Sequence, residues 1–415
     1  MGSGGFFGFF LDLFFVVPVL LLVRAVYPSP LVFRIASTLA GLYVLYGQAP
    51  RMLPFFVVFW LVVWALQTLA VRSENWKSTA WVAFALSVIV LVPLAPMLAW
   101  KLAPGTIVPW FNELMARVLR ATASGVGFAD ALVGLVVPLG LSFATFRALD
   151  LLLKQHLGLL QALSVDRVLY YGLFPPILAL GPISEYEEVR ADKQMPRAPH
   201  SGDIAVGLVR TAWGTIKIFG IGLALERAAA VLWANGQASV AMAWVAMVLY
   251  GLFFYVNFSG YSEVAIGLSR ILGLRLKENF ANPFLKTNPQ AFWNAWHMSL
   301  TRWAQRYIFV PLGGMRAERQ YVAIFAAIMV IALWHGLAPT MVVFGLFHAS
   351  IVVGHRLLLD YRKKQGLPPP IETGWIGALK MLAVITYVSF SIPMLLLNSG
   401  EAMAFYSHML LGTKL

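Results

Sequence analysis

Apolar residues fill this chain in long blocks, and polar positions gather in short stretches between them. A helix needs roughly 20 apolar residues to cross a bilayer. Blocks of that kind run at 5–26, 31–48, 53–71, 79–100, 128–147, 166–182, 204–232, 238–258, 319–337, 340–358 and 374–397. They are far too long for barrel strands, and backbone groups in lipid must be satisfied within their own segment. The pattern predicts an all-α polytopic integral membrane protein with about 9–12 transmembrane helices.

Three departures refine that picture. Over 102–124, Trp110, Phe111, Leu114, Met115, Val118 and Leu119 recur at helical spacing, with Glu113, Arg117 and Arg120 between them. This predicts an amphipathic helix lying in the membrane interface. Pro175-Pro176 and Gly181-Pro182 must bend or end helices, and irregular backbone at that depth needs protein or a water-filled cavity around it. Asn257-Phe-Ser-Gly-Tyr-Ser-Glu263 is a polar island closing an apolar run. No linker is long enough to part folded units, so one integral domain over 1–415 is expected. It divides into N-terminal scaffold helices (1–125), a core that holds the polar interruptions (126–360) and C-terminal helices (361–415).

Composition agrees: 60% hydrophobic, 12% charged, mean hydropathy +0.76. The formal charge of +13 would suggest nucleic acid in a soluble protein. Here the cations lie in short loops, around Arg190, Lys193 and Arg197, around Arg270, Arg275, Lys277 and Lys286, and around Arg356, Arg362, Lys363 and Lys364. Membrane orientation explains them better, with all three loops cytoplasmic. Nucleic acid is not an expected partner; membrane lipid is. Asp12, inside the first block, reads as a paired carboxylate.

Two histidines carry the candidate chemistry. His297 lies in Phe292-Trp-Asn-Ala-Trp-His-Met-Ser-Leu300, and His335 closes the apolar run Ile324–Trp334, 38 positions later. An ionisable group at membrane depth is costly, and by default it marks a functional site. If residues 291–310 are one helix, Trp293, Trp296, His297, Leu300, Trp303 and Tyr307 share a face, and the helix ends at Pro311 with a turn at Gly313-Gly314. A bland account also exists for each histidine. His297 could sit in an interfacial aromatic belt, and His335 could end a helix capped by Gly336. The run before His335 is wholly apolar, however, and helix termination does not require histidine. His348 reads as a satisfied core residue.

With no cysteine, thiol nucleophiles, disulfides and thiolate metal sites are excluded. Neither HExxH nor another ligand spacing appears, so no metal is expected. Nucleotide-binding glycine loops and the Gly-x-Ser-x-Gly elbow are missing too. A transporter or flippase remains the alternative of another class, since broken helices and intramembrane polar groups also suit transport.

These segments resemble the membrane-bound O-acyltransferase family. Phe292–Leu300 is similar to its Phe-Trp-x-x-Trp-His-x-Ser-Leu motif, Trp334-His335-Gly336 to its Trp-His-Gly motif, and Asn257–Glu263 to its Asp-Phe-Ser-Gly-Tyr-Ser-Asp. Gly140-Leu-Ser-Phe143 and Gly181-Pro-Ile183 also have counterparts. Two bacterial branches look alike. Pro311-Leu-Gly-Gly314 and Ala265-Ile-Gly-Leu268 look like the alginate O-acetylation branch. Trp-His-Met-Ser-Leu, Thr145-Phe-Arg147 and the short chain look like the D-alanyl teichoic acid branch. The chain departs from the family at Gln305-Arg306-Tyr307, where Arg-Asp-Tyr is frequent, and at the ends of the polar island.

The resemblance implies re-entrant or interfacial helices around a central funnel, in a multi-pass protein of the bacterial inner membrane. It implies a thioester donor, acyl-CoA or an acyl carrier protein, reaching the site from the cytoplasm, with no permanently bound cofactor. The acceptor would be an extracytoplasmic polysaccharide or a partner acyltransferase that relays the group. Acetyl transfer is the favoured reading and D-alanyl transfer the alternative. His335 would act as general base on the acceptor hydroxyl. His297, with Asn294 or Ser299, would orient groups or stabilise the carbonyl oxygen. Trp296, Trp334, Asn257 and Tyr261 would support the site.

Overall fold

The structure is a computed structural model. It describes residues 5–48, 50, 53–72, 80–81, 83–85, 87–88, 128–191, 199–234, 239–336, 338–397 and 399–412. The interfacial helix expected over 102–124 and most of the block at 79–100 lie outside the described residues. Among the described residues every regular element is helical. Six helical segments are long and apolar enough to cross a membrane: Gly8–Val26, Pro30–Gln48, Leu53–Val71, Val240–Ile271, Pro339–Lys364 and Gly374–Leu396. Gln320–His335 is apolar but shorter. The chain packs as two compact units, Met1–Ile216 with Gly260–Lys277, and Lys217–Ser259 with Glu278–Leu415.

In the first unit, helices Gly5–Val26 and Pro30–Gln48 pack together, and Pro30–Gln48 and Leu53–Arg72 both pack on the short helix Val165–Leu173. The block at 166–182 is therefore not one spanning helix. It stops at Phe174, whose ψ of 114° is the extended geometry favoured before proline, and Pro175–Ile177 follows as a single 3₁₀ turn. Gly41 makes the close packing possible, since a Cβ there would lie 1.9 Å from the Leu173 carbonyl oxygen.

Buried Arg147 supports the end of the same short helix. Its guanidinium donates to the carbonyls of Tyr171 (2.9 Å) and Gly172 (3.2 Å) and lies 5.5 Å from the ring centres of Trp60 and Tyr171. Carbonyls left over at a helix C-terminus need such donors, and a cation suits that end of the helix dipole.

Several charged residues in this unit form ion pairs. Lys154 Nζ sits among Asp150 (3.1 Å), Glu185 (2.6 Å) and Glu187 (2.7 Å). Those three carboxylates converge closely enough to hold a cation, and the lysine ammonium takes that place. Asp12 accepts a hydrogen bond from Gln48 at 2.7 Å, the pairing expected of it. Arg270 and Arg275 bind Asp203, and Lys277 binds Glu185. Part of the cationic loop 270–286 is thus tied down by acidic partners.

In the second unit, Gln320–His335 and Pro339–Lys364 form a tightly packed helical hairpin. Gly345 allows the contact; a Cβ on it would lie 2.8 Å from that of Ala332. Helix Pro289–Ala295 packs on Pro339–Lys364 and on the 3₁₀ turn Pro283–Leu285. Phe284, Phe292, Val384 and Val388 make a buried apolar cluster beneath it.

Candidate functional site

The segment around His297 is not a single helix. Pro289–Ala295 ends, and Met298–Ala304 begins with His297 as the residue before its first turn. His297 has φ 44° and ψ 54°, the left-handed region that a residue with a Cβ seldom occupies. Two backbone bonds from an extended strap impose the break: Ala281 N–H donates to the Ala295 carbonyl (3.0 Å), and Met298 N–H to the Asn279 carbonyl (2.8 Å). The shared face expected for 291–310 is corrected accordingly. Its end is as expected: a π-helical turn, Gln305–Phe309, runs into Pro311, and Gly313 has φ 80°.

Asn279 organises the joint and is fully buried. Its Oδ1 accepts from Ser299 Oγ (2.8 Å) and Ser299 N–H (3.2 Å), and His297 Nδ1 lies 3.1 Å away. The main-chain N–H of Ser299 can only donate, which fixes the oxygen on that side of the amide. That oxygen can only accept, so the proton on the imidazole resides at Nδ1. Nε2 is left as a lone pair, an acceptor and not a donor.

An aromatic cage encloses this joint. The Phe258 ring stands edge-on to His297 at 4.8 Å, and Trp296 stacks on Phe292 at 5.6 Å and meets Phe280 at 5.3 Å. Burial holds the His297 pKa down at about 3, and the charges of His335 and Arg302 lower it further. His297 is therefore neutral near pH 7, and the two imidazoles lie within electrostatic reach of each other.

His335 ends its helix with its side chain exposed, 4.6 Å from the half-buried Trp334 ring and 6.4 Å from Phe344. Gly336 follows in extended backbone (φ 166°, ψ 164°) that any residue adopts. The left-handed glycine cap, which would have made His335 a mere helix terminus, is not what stops this helix.

The remaining expected residues divide. Ser299 and Trp296 join His297. Asn294 is exposed on Pro289–Ala295, and Asn279 takes the place expected for it. Asn257 is half-buried on Val240–Ile271, a turn before Tyr261, which is buried against Phe10 at 5.6 Å in the first unit. The sequence offered one signal for Asn279: an asparagine between Glu278 and Phe280, 18 positions before His297, in a segment with little helical periodicity.

The chain matches known proteins over most of its length. The model of the membrane-bound O-acyltransferase family matches residues 42–397. The teichoic acid D-alanyltransferase of Bacillus subtilis is 29% identical over 61% of this chain and 67% of its own length. That of Streptococcus thermophilus is 26% identical over 81% of this chain and 80% of its own. A probable alginate O-acetylase of Pseudomonas aeruginosa is 29% identical over 55% of this chain and 44% of its own length.

Proposed function

The chain belongs to the membrane-bound O-acyltransferase family, and on that ground we propose that it moves an acyl group, acetyl in the favoured reading, from a cytoplasmic thioester to a hydroxyl outside the cytoplasm. It is a multi-pass membrane acyltransferase. The finer assignment covers the donor, the acceptor and the bacterial inner membrane as its location. The donor is acyl-CoA or an acyl carrier protein. The acceptor is a cell-envelope polysaccharide or a partner acyltransferase that relays the group.

One observation carries the chemistry. His335 is exposed at the end of an apolar helix, and a proton gained there is felt at the neutral, tautomer-fixed His297. In this reading His335 takes the proton of the acceptor hydroxyl as its oxygen attacks the thioester carbonyl. The tetrahedral intermediate collapses, the carbon–sulfur bond breaks, and the protonated His335 returns the proton to the departing thiolate. A positioned base of this kind contributes roughly 10²–10⁴-fold. His297 presents a lone pair at Nε2, so its part is to accept a hydrogen bond from the incoming hydroxyl or from a donor N–H. Donation to the carbonyl oxygen does not fit that tautomer.

D-alanyl transfer is the second reading, favoured by the two relatives named for it. Purified protein in liposomes, offered radiolabelled acetyl-CoA or D-alanyl carrier protein, separates the two. Either thioester consumed by wild-type protein should be left intact by His335→Ala. Turnover at the wild-type rate in that variant would reject the proposed base.

A further inference from the structure

A second polar network lies in the second unit, away from Asn279. Trp293 Nε1 donates to the Tyr387 hydroxyl at 3.1 Å, and that hydroxyl is hydrogen-bonded to His348 Nδ1. The indole can only donate, so Tyr387 receives at its oxygen, and Nδ1 is the acceptor within reach of its own proton, which sets the direction of the second bond. His348 then carries its proton at Nε2, a buried atom with no hydrogen-bond partner among the described residues. The ring is completely buried, edge-on to Trp293 (4.9 Å) and to Phe344 (4.3 Å), and Phe344 also contacts His335.

This network ties Pro289–Ala295 to Pro339–Lys364 through Tyr387 on Gly374–Phe390. Trp293 is on Pro289–Ala295, directly before the joint that holds His297. His348 is on Pro339–Lys364, the arm of the hairpin facing the helix that ends in His335. We propose that Trp293, Tyr387 and His348 are positioning residues for acyl transfer: a one-directional hydrogen-bond chain that fixes His297 in register with His335, with Phe344 as the packed link. A purely apolar contact would hold the helices together but would leave rotation and sliding less tightly defined. Two directed bonds specify one register, and a buried polar chain is worth its desolvation only when every link is made. The orphan Nε2–H is the cost of that direction, since the reversed tautomer would leave the Tyr387 proton without its acceptor.

The inference rests on His335-dependent transfer, and the test separates the two. The kinetic arm uses whichever thioester the wild-type protein consumes, acetyl-CoA or D-alanyl carrier protein. Tyr387→Phe and His348→Gln should each lower kcat by about 10–100-fold, the scale of a small misplacement of reacting groups. KM for the thioester should stay within about twofold. His348→Asn, whose amide oxygen falls near the Nδ1 position, should recover most of the rate; a role in packing alone would not favour Asn over the better-filling Gln. The second arm needs no turnover. Histidine labelled with ¹³C and ¹⁵N should report the Nε2–H tautomer at His348, assigned by the signal missing from His348→Gln. Wild-type kcat in Tyr387→Phe, equal rates in the Asn and Gln variants, or an Nδ1–H tautomer would each overturn the proposal. If wild-type protein consumes neither thioester, the proposed function fails, and the tautomer decides the hydrogen-bond chain by itself.

Discussion

Asn279 Oδ1 holds His297 Nδ1 at 3.1 Å while accepting two hydrogen bonds from Ser299, so one buried amide sets both the backbone of the joint and the tautomer of its imidazole. Asn279→Ala leaves buried donors of Ser299 and His297 without that oxygen. Each such loss costs about 1–3 kcal/mol. Asn279→Asp keeps an acceptor for all three donors and adds a negative charge, which favours the imidazolium form. The expected outcome is a lower melting temperature and severe loss of transfer in Asn279→Ala. In Asn279→Asp, near-native melting should accompany an acid limb of the rate profile displaced to higher pH. Thermal unfolding in detergent and a pH–rate series check both.

His297 also predicts how stability changes in acid. Its pKa in the folded protein, about 3, lies below the ordinary 6.5. Above pH 6.5 both folded and unfolded chains carry it neutral, and it contributes nothing. As pH falls below 6.5 the unfolded chain binds the proton first, so stability is lost at about 1.4 kcal/mol per pH unit until the folded value is reached. His297→Gln should flatten that slope between pH 6 and pH 4 (roughly the window between the two values). An unchanged slope in chemical-denaturation midpoints would show that the folded imidazole titrates normally.

Lys154 Nζ is shared by Asp150, Glu185 and Glu187, and Lys277 binds Glu185 from the other side. Lys154→Met keeps an unbranched side chain one atom shorter and removes the charge. Asp150, with its side chain 4% exposed, would lose its ammonium, whereas Glu185 keeps Lys277 and Glu187 is 45% exposed, so the cost falls at the low end of the about 3–5 kcal/mol of a broken buried pair. The variant is expected to lose most of its folded yield at neutral pH and to regain part of it in mild acid, where the carboxylates protonate. Fluorescence-detected size exclusion across pH reads this directly.

Gly41 faces the Leu173 carbonyl so closely that a Cβ would lie 1.9 Å from the oxygen. A backbone atom cannot swing aside as a side chain does. Gly41→Ala should therefore exceed the usual overpacking cost of about 1–3 kcal/mol. Gly354→Ala, at a position with open space around it, should be near neutral. A matched pair of melting curves tests the contrast.

The helical membrane class, most of the apolar helices and the two histidine motifs were legible in the sequence, because hydropathy and residue type decide them locally. The break at His297 was not. The apolar spacing from Trp293 to Tyr307 continues through it, and the interruption comes from backbone bonds to Asn279 and Ala281 in a preceding strap. Asn294 and Ser299 were the residues expected to act with His297, and of the two only Ser299 is at the joint. The amide that meets the ring, Asn279, is eighteen positions away and reaches it only after the strap folds back. Tyr387 and His348 stayed hidden for the same reason. Each is an ordinary residue of an apolar helix until the packing of Pro289–Ala295 brings the Trp293 indole to the tyrosine hydroxyl.

The left-handed backbone at His297 has a consequence for anyone selecting sturdier forms of this protein. Glycine occupies that conformation without steric penalty, but at 297 it would also empty the space the imidazole fills against Phe258 and free Asn279 from its ring partner. The strained backbone is thus retained because the ring offsets it, and a glycine there would trade one local penalty for another while removing the group proposed for the chemistry.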